Sequence, residues 1–320
     1  MKKNNASLWA ACAAALLSSS LFAAEIPSVA ITSIVEHPSL DATHKGVIDA
    51  LSAEGFSEDK IKIQFQSAQG NPATAGQIAR KFIGDQPNAI VAIATPSAQA
   101  IVAATKTIPV VFSAVTDPVA AKLVSSWQAS GTNVTGVSDM LPLEPQIDLI
   151  LKIKPDAKRI GMVFSPGEVN STIVVKEMKA ALEKRGLTLV DVAAARSVDV
   201  ATAAKSLVGK VDVVYTSLDN NVVSAFESLV AVTNQAKIPV IAAESDSVKR
   251  GAIGSLGVNY YDMGRQTGGI VARILKGEKP GNIAPQRGDK LSLTLNLQAA
   301  KTLGITLSES LLKEAQNTLK

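Results

Sequence analysis

Six short stretches of this 320-residue chain carry side chains suited to holding a small polar molecule, and each follows a run of β-branched residues. They are Glu36-His37-Pro38, Thr95-Pro96-Ser97-Ala98, the group Ser113, Thr116 and Asp117, the group Phe164, Glu168, Asn170 and Ser171, the group Thr216, Leu218, Asp219 and Asn220, and the pair Glu244 and Asp246. Hydroxyls and helix-start N–H groups at Thr95 to Ala98 suit a carboxylate, and Asp219, Glu168 or Asp246 suits an ammonium. The combination fits a zwitterion. Ser, Thr, Asp and Asn are also the preferred helix N-caps, so any single stretch is explained as well by capping. Six stretches aimed at one gap favour ligand contact by several. For the ligand's side chain, Phe164, Leu218, Pro96 and Phe112 stand near strand ends, although each also fits a place in the core.

His37 beside Glu36 could act as a general base. A base needs a nucleophile or a metal to work with, and the only other histidine is His44, which leaves too few ligands for a zinc site. The sequence has no GxSxG elbow, no GxxxxGK[ST] phosphate loop and no GxGxxG turn. We therefore expect no catalytic residue, no metal and no cofactor, with His37 a polar wall or helix-entry residue.

These stretches need elements to aim them. Short β-branched runs alternate with amphipathic segments from Val29 to Asn259, the pattern of βαβ units that build parallel sheets. The first set has strands at Val29 to Val35, Ile61 to Phe65, Ala89 to Ile93 and Pro109 to Phe112, with Asn133 to Asp139 leading out of it. Helices are expected at Ser39 to Glu54, Pro72 to Ile83 and Pro96 to Ala104. A second set begins after Pro155, with strands starting at Arg159, Leu187, Asp212, Ile238 and Ala252. Its helices are expected at Ser171 to Arg185, Val200 to Val208, Val222 to Gln235 and Ser247 to Gly251. A helix from Tyr261 to Lys276, a Gly/Pro-rich stretch, a strand LSLTLN and a closing helix near Gln298 to Leu303 complete the chain.

The fold class expected is α/β: two doubly wound parallel-sheet lobes joined by a three-crossing hinge. The crossings fall near Ser138-Asp139, Gly257-Val258 and Asp289-Leu291. Residues 25–138 plus 259–289 form the first lobe, and 139–258 plus 290–320 the second. In such sheets ligands bind beyond the carboxyl ends of the strands, and a multi-strand hinge permits closure on the ligand.

Lys2 and Lys3 precede an apolar stretch from Ala6 to Leu17 and small residues up to Ala24, the layout of a secretory signal peptide over residues 1–24. The apolar run is too short to span a bilayer. Lipidation at Cys12 is disfavoured, because Trp9-Ala10-Ala11 lacks the leucine expected before an acylated cysteine. Cleavage leaves a cysteine-free chain destined for the periplasm. Removing two lysines from 32 basic residues leaves 30 against 28 acidic ones, a balance that argues against a nucleic-acid or membrane-surface partner.

The segments SIVEHPSLDATHKG, ATPSAQA, SAVTDPVAAKLV, TGVSD, SPGEVNS, YTSLDNNVVSA and GSLGVNYYDMGRQTG run in order through nearly the whole mature chain. In them it resembles the substrate-binding proteins of ABC importers for tryptophan and related aromatic amino acids. Ser165 departs from the pattern, since it stands where an NPxE-like turn carries asparagine. The resemblance implies a type I periplasmic-binding-protein fold, a monomer, a ligand held between the lobes, and an ABC permease with its ATPase subunit as partners. A branched-chain or other small amino acid fits the same polar frame. The competing classes are an enzyme on the same fold using Glu36 and His37, and a regulator's effector half, which would need a DNA-binding or membrane-signalling segment that the sequence does not encode.

Overall fold

The computed structural model describes residues 26–288 and 290–320. The leader reading of residues 1–24, the Cys12 alternative and Asp289 lie outside the described residues. Among the described residues, no helix is long and apolar enough to cross a membrane.

The first part of the chain runs β1 (Ser28–Ser33), α1 (Pro38–Ala53), β2 (Lys62–Ser67), α2 (Pro72–Asp85), β3 (Ala89–Ile93), α3 (Thr95–Ala104), β4 (Val110–Ser113) and β5 (Val134–Ser138). The middle part is α4 (Leu143–Ile153), β6 (Arg159–Phe164), α5 (Val169–Glu183), β7 (Thr188–Ala193), α6 (Val200–Leu207), β8 (Val213–Thr216), α7 (Asn220–Ser224), α8 (Phe226–Gln235), β9 (Val240–Ala242), α9 (Asp246–Lys249) and β10 (Gly254–Val258). The last part is α10 (Tyr260–Leu275), β11 (Gln286–Arg287), β12 (Leu291–Asn296), α11 (Leu297–Thr302), α12 (Glu309–Glu314) and β13 (Asn317–Leu319).

Two sheets result, in the orders β11-β5-β4-β3-β1-β2 and β13-β12-β10-β9-β8-β6-β7. Strands β3, β4 and β5 are buried at every position, because helices cover both faces and the β-branched runs need no polar side. The chain passes between the sheets after β5, after β10 and after β11. The third passage explains the one break from parallel order, since β12 runs antiparallel to β10. Strand β11 ends at the same edge as β5, and the chain goes straight into β12 with no helix to carry it back. A strand entered from that edge has to run the other way.

Several elements differ from the sequence expectation. Helix α4, with Ile147, Ile150 and Ile153 on its buried face, lies in a stretch given no element, as do α12 and β13. The helix expected over 222–235 is two helices that part at Ala225 (φ −107°, ψ 26°). There the Arg250 guanidinium donates to the Val223 carbonyl at 2.8 Å, taking an acceptor that the helix would otherwise use.

Helix α10 returns to the first sheet and lies against α1 at very close range. A Cβ added at Gly46 would fall 2.2 Å from the Tyr261 carbonyl oxygen, and one at Gly264 would fall 2.1 Å from that of Thr43. Glycine is required at both. Their contact sets where the start of α10, and with it Tyr260, meets the gap between the sheets.

Candidate functional site

The carboxyl ends of the parallel strands of both sheets meet at a narrow cavity. The first sheet's side supplies His37, Leu40 and Ala114, the first crossing supplies Asp139, and α10 supplies Tyr260. The second sheet's side supplies Asn170, Leu218, Asp219, Asn220, Val223 and Glu244. A second small chamber shares Leu218 with the first and is mainly apolar, with Met140, Leu141, Leu143, Ile173, Val174 and Ala243 among its walls. Neighbours in sequence divide between the two: Asp139 and Met140, Leu218 and Ser217, Glu244 and Ala243. The chambers thus lie on either side of the same strand ends.

Each carboxylate at the first cavity has a different occupation. Asp219 is fully buried and saturated. Its Oδ1 accepts from Ser165 Oγ (2.8 Å) and the Val222 N–H (2.9 Å), and its Oδ2 accepts from the Ser165 N–H (2.6 Å) and from the Ser171 hydroxyl. It caps α7 and ties the β8–α7 junction to the β6–α5 junction. Burial raises its pKa against these bonds. Glu168 stands behind the cavity wall, with its Oε2 accepting from Asn170 Nδ2 (2.9 Å) and Asn220 Nδ2 (2.7 Å). Burial, and then the charge of Asp219, push Glu168 up to about 7. Glu244, also raised by burial, accepts from the Asp246 N–H (2.7 Å), the Ser247 N–H and the Ser247 hydroxyl. Ser39 Oγ, on the first sheet's α1, donates to Glu244 Oε2 at 2.8 Å and approaches Asp246 Oδ2 at 3.3 Å. These bonds bridge the two halves directly.

Asp139 differs from the rest. Its Oδ2 accepts from the Tyr260 hydroxyl at 2.9 Å, while its Oδ1 is buried without a partner. Burial pushes it up to about 6, with the Tyr260 bond first, and then the nearby Thr116 hydroxyl and its own backbone N–H, pulling the other way. Asn170 Oδ1 and His37 Nδ1 are likewise buried and unpartnered, and buried polar atoms are normally satisfied. No lysine or arginine lines the cavity. The His37 imidazole is held down to about 3 by burial and then by the charge of Arg250, so it stays neutral.

Of the residues expected from sequence, the cavity brings together His37, Asn170, Leu218, Asp219, Asn220 and Glu244, and the apolar chamber adds Thr116. Glu168, Ser171 and Asp246 stand behind them. The others line neither chamber. Glu36 is exposed. Ser113 is bonded to Thr267 across to α10 at 2.7 Å. Asp117 caps a turn, accepting from the N–H groups of Val119 and Ala120, both at 2.9 Å. Phe164 is half-buried outside both linings, and Thr216 is buried. Thr95, Pro96, Ser97 and Ala98 form the first turn of α3, where the Thr95 and Ser97 hydroxyls are buried and unpartnered. Asp219 is not a free ammonium partner, because every lone pair that could serve is already engaged by the protein. Asp139 was passed over as a hinge residue, and Tyr260 as helix-start packing. His44, the other histidine, stacks on Phe65 at 4.2 Å, away from this cavity.

Ala94 (φ 72°) and Ala114 (φ 54°) follow β3 and β4 in left-handed backbone. That region costs a non-glycine residue about 1–3 kcal/mol, and it turns the chain sharply off each strand end, placing Ala114 on the cavity wall.

A "Tyrosine-binding protein" of Clostridioides difficile (strain R20291) is 40% identical over 277 residues, covering 86% of this chain and 80% of that one. A Streptococcus pneumoniae ABC domain solved in complex with L-Trp is 34% identical, with a TM-score of 0.89 over 92% of this chain and 99% of that one. The ligand-free, open structure of a substrate binding protein with adhesive properties from Clostridium difficile is 38% identical over 92% and 100% of the two chains, yet reaches a TM-score of 0.69. The more identical of these two chains is thus the less similar in overall shape. The family model for ABC transporter substrate binding proteins matches residues 28–319. With that match over nearly the whole chain, two sheets facing one enclosed cavity, and these relatives, the chain belongs to the ABC transporter substrate-binding protein family.

Proposed function

We propose that this protein captures an aromatic amino acid by closing its two halves on it and delivers it unchanged to an ABC permease driven by an ATPase subunit. Substrate-binding proteins of ABC transporters work outside the cytoplasm and are transport components. In this reading residues 1–24 are a signal peptide removed on export to the periplasm, and the mature chain is a monomer. Residues 25–138 with 259–289 move as one body, and 139–258 with 290–320 as the other.

The observation that carries the reading is an enclosed cavity with unpartnered acceptors, Asp139 Oδ1 and Asn170 Oδ1, and no protein cation to meet them. A buried carboxylate without a counter-charge is unfavourable, and a ligand ammonium removes that defect. The carboxylate end is met by a neutral donor, the His37 imidazole, whose Nδ1 is buried without a partner. The apolar chamber behind Leu218 receives the side chain. The relatives whose names specify tyrosine and L-Trp fit this division. The enzyme alternative loses its footing with Glu36 in solvent and His37 too weakly basic to take a proton near neutrality.

The test is mass spectrometry of freshly purified, denatured protein, followed by calorimetric titration after the ligand has been removed. Release of tyrosine, tryptophan or phenylalanine at its unmodified mass is expected. A branched-chain amino acid, a non-amino-acid ligand or a chemically altered product would overturn the reading.

A further inference from the structure

The apolar chamber contains a hydroxyl with nothing to do. Ser217, the residue after β8, is 2% exposed, lines the chamber, and its Oγ has no hydrogen-bond partner. The Tyr215 hydroxyl, whose residue also lines the chamber, is already engaged with Gln146 Oε1 at 3.3 Å. Most of the remaining wall is aliphatic, from Met140 and Leu141 on one side to Ile173 and Val174 on the other. A buried hydroxyl left idle costs stability unless something else satisfies it.

We propose that Ser217 reads the polar atom on the ring of the bound amino acid, so that a phenol O–H or an indole N–H is selected over a plain benzene ring. This rests on the functional reading above, which places the side chain in this chamber. A site built to hydrogen-bond a substrate group rejects the analogue lacking it, because its own polar atom is then left unpaired. Serine suits the task because its hydroxyl accepts from an indole N–H or a phenol O–H and can also donate to the phenol oxygen. Leu218, the next residue, lines both this chamber and the polar cavity and forms the partition between them.

The experiment compares the full mature chain with its Ser217→Ala variant by calorimetry, after bound ligand has been removed by unfolding and refolding. Two ligand pairs are used: L-tyrosine against L-phenylalanine, and L-tryptophan against 3-benzothienyl-L-alanine, which carries sulfur in place of the indole N–H. In the tighter-binding pair, the unsubstituted protein should favour the hydrogen-bonding ligand by about tenfold or more. Ser217→Ala should weaken that ligand by about tenfold and leave its partner within about twofold, closing the gap. Equal affinity within both pairs for the unsubstituted protein overturns the proposal, whether or not the variant folds. So does a variant that weakens both members of a pair equally. Failure of all four ligands to bind overturns the functional reading itself, which separates the two failures.

Discussion

The two halves of the molecule bring unlike material to the gap between them. The second sheet's side meets it with carboxylates held in dense hydrogen-bond networks: Asp219 with Ser165, Ser171 and Val222, Glu168 with Asn170 and Asn220, and Glu244 with Ser247 and Asp246. The first sheet's side meets it with His37, Leu40 and Ala114, none of them charged. Asp139, the acid with an idle oxygen, belongs to neither network and sits on a strand crossing between the halves. The charged groups at the gap therefore come from the second half and the hinge, while the first half supplies neutral ones. Similar topology does not impose similar chemistry, because the strand-end loops are free to differ.

The sharpest break in this comparison comes from two acids at related positions. Asp219 follows the third strand of its set and Asp117 the fourth of its own, and both cap the next turn. Asp219→Ala strands two N–H donors and two hydroxyls in a buried place, and each unsatisfied group costs about 1–3 kcal/mol before relaxation. A loss of about 3–4 kcal/mol in stability is expected from chemical denaturation. Asp117→Ala, at a half-buried turn, should lose about 1 kcal/mol, as caps usually do. Equal losses would mean that the second half owes nothing special to its network.

Asp139→Asn comes next and tests binding rather than folding. The amide still accepts from Tyr260 but carries no charge, so affinity for an amino acid should fall by about a hundredfold while the melting temperature changes little. Titration calorimetry checks both the loss and its confinement to ligand. The same residue predicts a pH dependence of up to tenfold per unit. Its folded pKa is raised to about 6, so the stability it contributes to the empty closed protein is present below the ordinary carboxylate range and lost as pH rises through 6. A bound ammonium reverses the preference by favouring the ionised form. Affinity should therefore weaken as pH falls through about 6, and binding near that pH should release protons, measurable in buffers of different ionisation enthalpy. If the step survives in Asp139→Asn, it belongs to Glu168, raised to about 7.

Much of this division was hidden in the sequence, for physical reasons. The sheets were legible because β-branched runs such as Ala89 to Ile93 admit few other structures when buried on both faces. Helix α4 was not, because its Ile147, Ile150 and Ile153 follow Pro142 and Pro145, which read as loop residues, although proline near a helix start is well tolerated. The candidate site was legible as a set of strand ends but not as a set of contacts. Asp219 and Asp117 look equally available in sequence, yet one is saturated by four donors and the other caps an outlying turn. Asp139 looks like a linker until the crossing is seen to run along the cavity wall. Tyr260 falls one residue before the helix expected from Tyr261, and its hydroxyl partner lies 121 residues away. Such pairings depend on how the two halves meet, which local pattern does not encode.

The smallest effect is expected at Ser39, and it tests whether the neutral half is held down by the charged one. Its hydroxyl supplies Glu244 with the one donor in that network that comes from across the gap. Removing it by Ser39→Ala leaves Glu244 with the N–H groups of Asp246 and Ser247 and the Ser247 hydroxyl, so the carboxylate is not orphaned and neither half should lose stability. What is lost is a bond that exists only while the halves are together, worth about 1 kcal/mol. Because the closed state is the one that holds ligand, that loss enters the affinity directly and should weaken it by about fivefold. In solution scattering the ligand-free variant should show a larger radius of gyration than the unsubstituted protein, and saturating ligand should bring the two together. Unchanged affinity with an unchanged radius would show that closure draws on the ligand alone, and that the carboxylates of the second half serve their own loops without holding the first half in place.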